Sequence, residues 1–200
     1  MPPYTPHQYT LDHTLILATV SKLYLLTDLH LWPRLLRSEV FTPTFTLDYT
    51  SLFGGEPDTE CTPQKAVDMF RGFMEKMSGT QHVLTGGVVE GLVVPSPLAG
   101  EGDGEGTGGE EWPQKVTVRS YVTVHLTQKG AEGGDSTSNG GILEVECVRM
   151  DEEECQKLYG ARGSGEGMWD GNPWRVSLFR PEMRWYAGNH EGILGVKLDE

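Results

Sequence analysis

The spacing of apolar residues along the chain indicates three helices. From Thr10 to Leu26, apolar side chains recur every three or four residues, as on one face of a helix. A second, shorter helix is predicted from Leu31 to Arg37, because Pro33 suits a first helical turn, where no backbone donor is lost. The third begins at Thr62-Pro63, and an apolar stripe predicts that it packs on a sheet: Val67, Phe70, Phe73, Met74 and Met77.

Alternating and β-branched stretches predict strands elsewhere in the chain. The first runs from Phe41 to Leu52 and has Asp48 and Tyr49 near its centre. Four more follow the third helix and read as antiparallel hairpins: His82–Val94, Val116–Thr127, Ile142–Met150 and Trp174–Tyr186. Helices grouped first and a meander afterwards indicate an α+β fold, in which a strongly curved, mostly antiparallel sheet wraps the helices into a cone-shaped barrel. The interior of such a cone is a natural ligand pocket.

The chain length of 200 residues fits one domain with a sizeable core. We predict an N-terminal arm over residues 1–9, the domain over residues 10–188 and a tail over residues 189–200. Three segments rich in Gly, Glu, Asp and Ser, near 97–113, 129–141 and 151–171, are predicted as loop insertions between strands.

Charge and cysteine content narrow the classes of function. A net charge of −13 argues against a nucleic acid or an anionic membrane as partner. The three cysteines show no zinc-type spacing, so they predict free thiols in a reducing compartment, with Cys147 as a small core residue. There is no leader-like segment and no apolar run of membrane-spanning length, so a cytoplasmic protein is expected.

Five short motifs follow one another along the chain. They are Thr27-Asp28-Leu29-His30-Leu31-Trp32, Leu47-Asp48-Tyr49-Thr50-Ser51-Leu52, Thr80-Gln81-His82-Val83-Leu84, Val124-His125, and the run WRVSLFRPEMRW at 174–185. Together with the order of the elements, they resemble the nuclear transport factor two-like superfamily. The resemblance is greatest to its SnoaL-like and scytalone dehydratase branch, and it covers most of residues 10–188 outside the acidic loops.

The resemblance implies a working pair formed by Asp28 and His125. A carboxylate that accepts one imidazole N–H fixes the tautomer and raises the basicity of the other nitrogen, which then takes a proton from carbon. By the same resemblance His82 assists with the departing or incoming proton, and Tyr49 holds a water or donates to a substrate carbonyl. Trp32 and Leu52 are expected in the pocket wall, and no metal or organic cofactor is implied.

Two positions depart from the family pattern. Thr27 stands where scytalone dehydratase has a tyrosine directly before the aspartate, and Leu143 or Glu144 falls where it has an asparagine on the penultimate strand. Both departures weaken the case for scytalone as substrate more than the case for the Asp–His base. Taken singly, Asp28 also suits the N-cap of the second helix, and a lone strand histidine is more often structural or exposed.

Two hypotheses of different class follow. The first is a cofactor-independent dehydratase, isomerase or cyclase that acts on a small polyketide- or terpenoid-like carbonyl compound, expected as a homodimer or homotrimer. The alternative is a non-catalytic small-molecule-binding or assembly module with the same fold. Chemistry is favoured if Asp28 and His125 lie within hydrogen-bond reach in a closed apolar cavity. Binding is favoured if the cavity is filled or the pair faces outward.

Overall fold

A computed structural model describes residues 4–37, 40–94, 112–160 and 170–195. Its helices are α1 (Pro6–Asp28), α2 (Trp32–Arg37), α3 (Thr50–Phe53), α4 (Pro63–Met74), α5 (Glu152–Tyr159) and α6 (His190–Leu194). Its strands are β1 (Phe41–Leu47), β2 (Asp58–Cys61), β3 (Gly79–Glu90), β4 (Lys115–Thr127), β5 (Ser136–Arg149) and β6 (Trp174–Gly188). Most of the loop predicted near 97–113 lies outside the described residues.

The six strands form one curved, unclosed mixed sheet in the order β2-β1-β6-β5-β4-β3. Strands β3 to β6 pair as antiparallel neighbours, which confirms the predicted meander. Strand β1 lies parallel to β6, and the Thr42 hydroxyl donates to the Val176 carbonyl across 134 residues of sequence. The predicted α+β fold, a curved sheet around the first helices, is confirmed.

A bulge between β5 and β6 contributes to the bend of the sheet. The pairing register shifts between Gly140 and Gly141. A Cβ atom on Gly141 would lie 1.9 Å from the backbone oxygen of Glu182, so only glycine allows this close approach of the two strands. Bulges of this kind bend a strand and increase its twist.

Helix α1 lies against the concave side of the sheet, where it contacts β3 and β6. Its start is fixed locally, because Thr5 Oγ1 accepts the Gln8 N–H at 3.2 Å and Pro6 occupies the first turn. One face of the helix is buried, with Ile16, Val20, Leu23 and Tyr24 among its side chains. The inner face of β4 meets this core through Val118, Val122 and Val124.

Helix α4 begins where the sequence predicts, with Thr62 as its N-cap and Pro63 in its first turn. Its Val67 and Phe70 are buried, as expected for a helix packed on the core. The prediction of free thiols is also confirmed, since all three cysteines are buried and none forms a disulfide. Among the described residues no helix combines the length and the apolar character that crossing a bilayer requires.

Strand β1 ends at Leu47, whereas the alternation predicted a strand as far as Leu52. Asp48 Oδ1 accepts the Thr50 backbone N–H at 3.1 Å and the Thr50 hydroxyl at 2.6 Å, while Asp48 Oδ2 accepts Arg180 Nε at 2.7 Å. An aspartate that bonds the backbone two residues on turns the chain. Tyr49 therefore precedes α3 and Leu52 lies within it, and the strand prediction beyond Leu47 is wrong.

Three predicted loop, arm and tail boundaries are also wrong. Helix α1 begins at Pro6 and Tyr4 is buried, so residues 4–9 are not an arm, whereas residues 1–3 of the predicted arm lie outside the described residues. Residues 136–141 belong to β5, because they pair with the end of β4 and so enter the sheet despite their small and polar side chains. Residues 190–194 form α6 within the predicted tail.

The loop predicted at 151–171 contains helix α5. Asp151 caps this helix, since its Oδ1 accepts the Glu154 N–H at 2.7 Å. Three glutamates occupy the first turn, where the helix dipole favours negative charge. The acidic composition that indicated a loop therefore stabilises a helix N-terminus.

Candidate active site

Asp28 and His82 form a hydrogen-bonded pair between the end of α1 and strand β3. Asp28 Oδ1 lies 2.6 Å from His82 Nδ1, and Asp28 Oδ2 accepts the His82 backbone N–H at 2.7 Å. The side chains are 16% and 8% exposed, respectively. Asp28 is the last residue of α1 and its oxygens bond to His82, so the N-cap interpretation is wrong.

The electrostatics of the pair favour an ionised carboxylate. Partial burial on its own raises the pKa of Asp28, but the hydrogen bonds and the charge of His82 outweigh it, so this pKa lies below its ordinary value of 3.8. An ionised Asp28 accepts from Nδ1–H, which fixes the tautomer of a neutral imidazole. The lone pair is then on Nε2, a nitrogen that no described residue binds.

His82 lines a cavity between the concave sheet and helices α3, α4 and α6, which we call the inner cavity. Its volume is about 80 Å³. Most of its wall is apolar. The wall includes four methionines, Met69, Met74, Met77 and Met183. Methionine thioethers adapt their shape to what they pack against. The cavity can therefore admit a compact group and adjust around it.

Three further polar side chains line the inner cavity: Tyr24, Tyr49 and Asn139. The Tyr24 ring packs on the His82 ring with centroids 4.6 Å apart. Burial, the largest cause, raises the pKa of both phenols above the ordinary 10.0, so both hydroxyls stay protonated and can donate. Asn139 is only 3% exposed, and its amide makes no hydrogen bond to another described residue. These groups are suited to hold a polar atom of a ligand.

The predicted pair of Asp28 with His125 does not form, so the condition stated above for chemistry by this pair is not met. His125 is exposed on the outer face of β4, and its Nδ1 lies 2.8 Å from Ser138 Oγ. Its neighbours Val124 and Leu126 line the inner cavity, and successive side chains of a strand point to opposite faces. Of the four residues predicted to act together, the structure brings together Asp28, His82 and Tyr49.

The other expected positions are mixed. Leu52 lines the inner cavity, although from helix α3 rather than from a strand. Trp32 is absent from the cavity wall as described and instead packs in the core, stacked on His30 at 5.4 Å between ring centroids. The Thr27 hydroxyl donates to the Leu23 carbonyl at 2.9 Å within the helix, so its proton is not available to a ligand.

Two residues of the site were missed from the sequence. Tyr24 precedes Asp28 by four residues, which places both on one face of α1. The family has its tyrosine at the position of Thr27, three residues after Tyr24. The four-residue spacing between Tyr24 and Asp28 was the signal in the sequence. Asn139 lies on the penultimate strand, opposite Val124 of β4 and four residues before Leu143, which was compared with the family asparagine. Its glycine- and serine-rich surroundings resembled a loop and gave no signal.

No three His, Cys, Asp or Glu side chains among the described residues come together as metal ligands would. Glu144 is one of the two residues at the position of the family asparagine. Its side chain lies on the outer face of the sheet, away from the inner cavity. It accepts from Arg119 Nη2 at 2.8 Å and from Arg180 Nη1 at 2.9 Å. Glu144 is therefore part of an ion-pair network on the outer face and does not reach the inner cavity.

No protein-family model matches the sequence, and no curated protein matches it. Solved structures do match. The Kfla4162 protein from Kribbella flavida superposes with a TM-score of 0.63 at 18% identity, over 89% of this chain and 94% of that one. The chain has the fold of the nuclear transport factor two-like superfamily.

Two other structures with this fold carry enzyme names. A protein named as a candidate scytalone dehydratase from Novosphingobium aromaticivorans has a TM-score of 0.60 at 10% identity, over 90% of this chain and 89% of that one. The hexachlorocyclohexane dehydrochlorinase LinA-type3 from Novosphingobium barchaimii has a TM-score of 0.55 at 14% identity, over 90% and 94%. At 10% and 14% identity, the similarity establishes the fold and does not identify the reaction.

Proposed function

We propose that this protein is a cofactor-independent enzyme of the dehydratase type that removes a proton next to a carbonyl group in a small, neutral substrate. The observation that carries the proposal is the Asp28–His82 pair in the wall of a largely apolar cavity. A base of this kind, oriented by a carboxylate and shielded from water, is suited to proton abstraction from carbon. The dehydratase and dehydrochlorinase names of two structures with the same fold agree with an elimination.

His82 acts as the base in this reaction. Its Nε2 takes the α-proton, and the electron pair of the broken C–H bond forms the carbon–carbon double bond of an enolate, whose negative charge lies on the carbonyl oxygen. Asp28 holds the imidazole in the required tautomer and stabilises the imidazolium that forms. Elimination follows when the enolate re-forms the carbonyl and expels a hydroxyl group from the β-carbon. That group takes the proton from the imidazolium and leaves as water.

Tyr24, Tyr49 and Asn139 stabilise the charge that develops. Protonated phenols and an amide N–H group can donate to an enolate oxygen or to the departing hydroxyl. Donors of this kind act most strongly where water is excluded, as between the phenylalanines and methionines of the inner cavity. An enolate without a leaving group would instead take the proton back from the imidazolium at a different carbon, which is isomerisation. Where a second carbonyl lies within reach, the enolate carbon would attack it, and the resulting alkoxide would take the proton, which is cyclisation.

Deuterium exchange tests the proposal without knowledge of the natural substrate. The protein is incubated in D₂O with a panel of small cyclic ketones and β-hydroxy ketones, and loss of the α-proton signal is followed by NMR. We expect exchange above the buffer rate with at least one compound, and water loss from the matching β-hydroxy ketone. His82→Ala and Asp28→Asn should each slow exchange by about 10²–10⁴-fold.

His125→Ala is the matched control, because His125 is an exposed histidine on the neighbouring strand. It should exchange at the wild-type rate. Equal rates for His82→Ala and wild type would overturn the proposed base. A protein that binds members of the panel and exchanges none of them would be a binding module of the same fold.

A further inference from the structure

A second cavity lies beside the inner one, and we call it the outer cavity. Its volume is about 240 Å³, and it is bordered by the end of β1, helix α3, strand β2 and the first half of α4. Tyr49, Phe53 and Met69 line both cavities. These three side chains therefore form the partition between the two spaces.

The volumes indicate that neither cavity alone holds an elongated organic substrate. Ligand pockets of proteins usually measure about 300–1,000 Å³, whereas the inner cavity measures about 80 Å³. A space of that size accepts one compact group beside His82. The two cavities together reach the lower end of the usual range, so a molecule that extends past the partition would fill them both.

Two of the three side chains of the partition can move, while the Tyr49 ring packs on Phe179 at 5.7 Å between centroids. Met69 is an unbranched, half-buried thioether. Phe53 is 43% exposed and belongs to α3, a helix of four residues none of which is buried. The ring of Phe53 stacks on Phe73 at 5.2 Å between centroids, and rotation of these side chains leaves the strands of the sheet in place. A narrow opening from one cavity to the other therefore requires little rearrangement.

The charges of the outer cavity select against anions. Its wall carries two carboxylates, Glu56 and Asp58, and one cation, Lys65, whose Nζ lies 2.5 Å from Asp58 Oδ2. The single lysine is thus already paired, and the chain as a whole has a net charge of −13. Burial and the nearby Asp58 raise the pKa of Cys61 to about 11, so the thiol in this wall is neutral.

We propose that the outer cavity is a second substrate subsite, which takes the uncharged extension of an elongated molecule whose carbonyl-bearing head occupies the inner cavity. This inference rests on the proposed function for the position of the head. It excludes substrates that carry a phosphate or carboxylate on the extension, such as acyl groups attached to a phosphorylated carrier.

Binding of a homologous series tests the subsite. Dissociation constants are measured by calorimetry for 2-cyclohexenone, its 3-butyl and 3-hexyl derivatives, and the 3-hexyl compound with a terminal carboxylate. We expect the 3-hexyl compound to bind about tenfold more tightly than the 3-butyl one, since each buried methylene contributes roughly 0.8 kcal/mol or nearly fourfold. The carboxylate should abolish that gain.

Glu56→Trp is designed to fill the outer cavity from an exposed position in its wall. It should bind 2-cyclohexenone like the wild type and lose the gain from the longer chain. Glu60→Trp makes the same change at an exposed residue of β2 that is not part of this wall, and it should keep the gain. Wild-type binding of the neutral and carboxylate compounds decides the question even if Glu56→Trp fails to fold.

Equal affinity for the butyl, hexyl and carboxylate compounds would overturn the subsite, whether or not the protein exchanges α-protons. Deuterium exchange on 2-cyclohexenone is recorded with the same samples. A chain-length gain without exchange would support the subsite and contradict the proposed chemistry, and exchange without a gain would do the reverse.

Discussion

Asp12 and Asp28 are carboxylates near the two ends of helix α1, and their surroundings differ in one decisive respect. Asp12 is fully buried and accepts from the Tyr4 hydroxyl at 3.0 Å, from Gln8 Nε2 at 3.2 Å and from Trp174 Nε1 at 3.1 Å. It also pairs with Arg149, whose guanidinium lies over the rings of Trp112 and Trp174. Asp28 instead bonds to His82, whose second ring nitrogen no described residue binds.

The comparison separates a structural carboxylate from one that can serve chemistry. Every polar partner of Asp12 comes from the protein, so removing this carboxylate leaves several buried donors without an acceptor. The partner of Asp28 lines a cavity and keeps one hydrogen-bonding atom for a ligand. Depth of burial alone would indicate Asp12 as the catalytic carboxylate. Asp28 is the better candidate because the second ring nitrogen of its partner His82 is not bound by any described residue.

The largest expected effect is on stability. Asp12→Asn should lower the free energy of unfolding by about 3–5 kcal/mol, because it breaks a buried ion pair and leaves Arg149 uncompensated. Asp28→Asn, the same substitution at the other end of α1, should cost about 1 kcal/mol. Urea unfolding followed by circular dichroism measures both. A larger loss at Asp28 than at Asp12 would contradict the comparison.

Asn139 and Asn172 allow the same comparison between an amide that lines the inner cavity and an amide that bonds within the protein. Asn139→Leu should leave the free energy of unfolding within about 1 kcal/mol of the wild-type value, since its amide reaches the inner cavity and leaves no donor of the core without an acceptor, and it should weaken binding of ketones. Asn172→Leu is the control, because its amide donates to the Leu15 carbonyl at 3.0 Å and to Thr19 Oγ1 at 2.7 Å. That variant should be destabilised. A destabilised Asn139→Leu that still binds ketones normally would remove Asn139 from the site.

The smallest effect is the pH dependence of Asp28. Its pKa in the folded protein lies below the ordinary 3.8, so its ionised form stabilises the fold above that value, and this contribution is lost as the pH falls through the lowered pKa. The difference in unfolding free energy between wild type and Asp28→Asn should therefore shrink as the pH falls below about 4. A difference that increases below about pH 4 would show that the carboxylate is not stabilised as described. Glu75→Gln, at an exposed pair with Arg71, serves as control.

Much of the fold could be predicted from the sequence, because the signals that define it are local. The cap at Thr62-Pro63 and the alternation in β4 specify their elements without reference to distant residues. Strand β2 and helix α6 are short and carry weak signals, and they form where neighbouring strands and turns hold them. Residues 136–141 have a loop-like composition and become strand only because β4 offers a complete ladder.

The candidate site could be predicted only in part. The alternation of Val122, Val124 and Leu126 already places His125 on the opposite face of β4, and greater reliance on it would have excluded that residue. For His82 the sequence contains no such guide, because the neighbouring Val83 is apolar although its side chain lies on the exposed face of β3. Its role depends on a contact with Asp28 across 54 residues, which only the packing of α1 on the sheet creates.

The parallel pairing of β1 with β6 has a consequence for the order of events during synthesis. A ribosome releases β1 long before β6, yet the Val176 carbonyl that accepts from Thr42 lies 134 residues further along. Until β6 emerges, one edge of β1 has no partner in the sheet and is exposed to pairing with other chains. Contacts between such distant segments slow folding because a long loop must close first. The nascent chain therefore carries this unpaired edge until β6 has emerged.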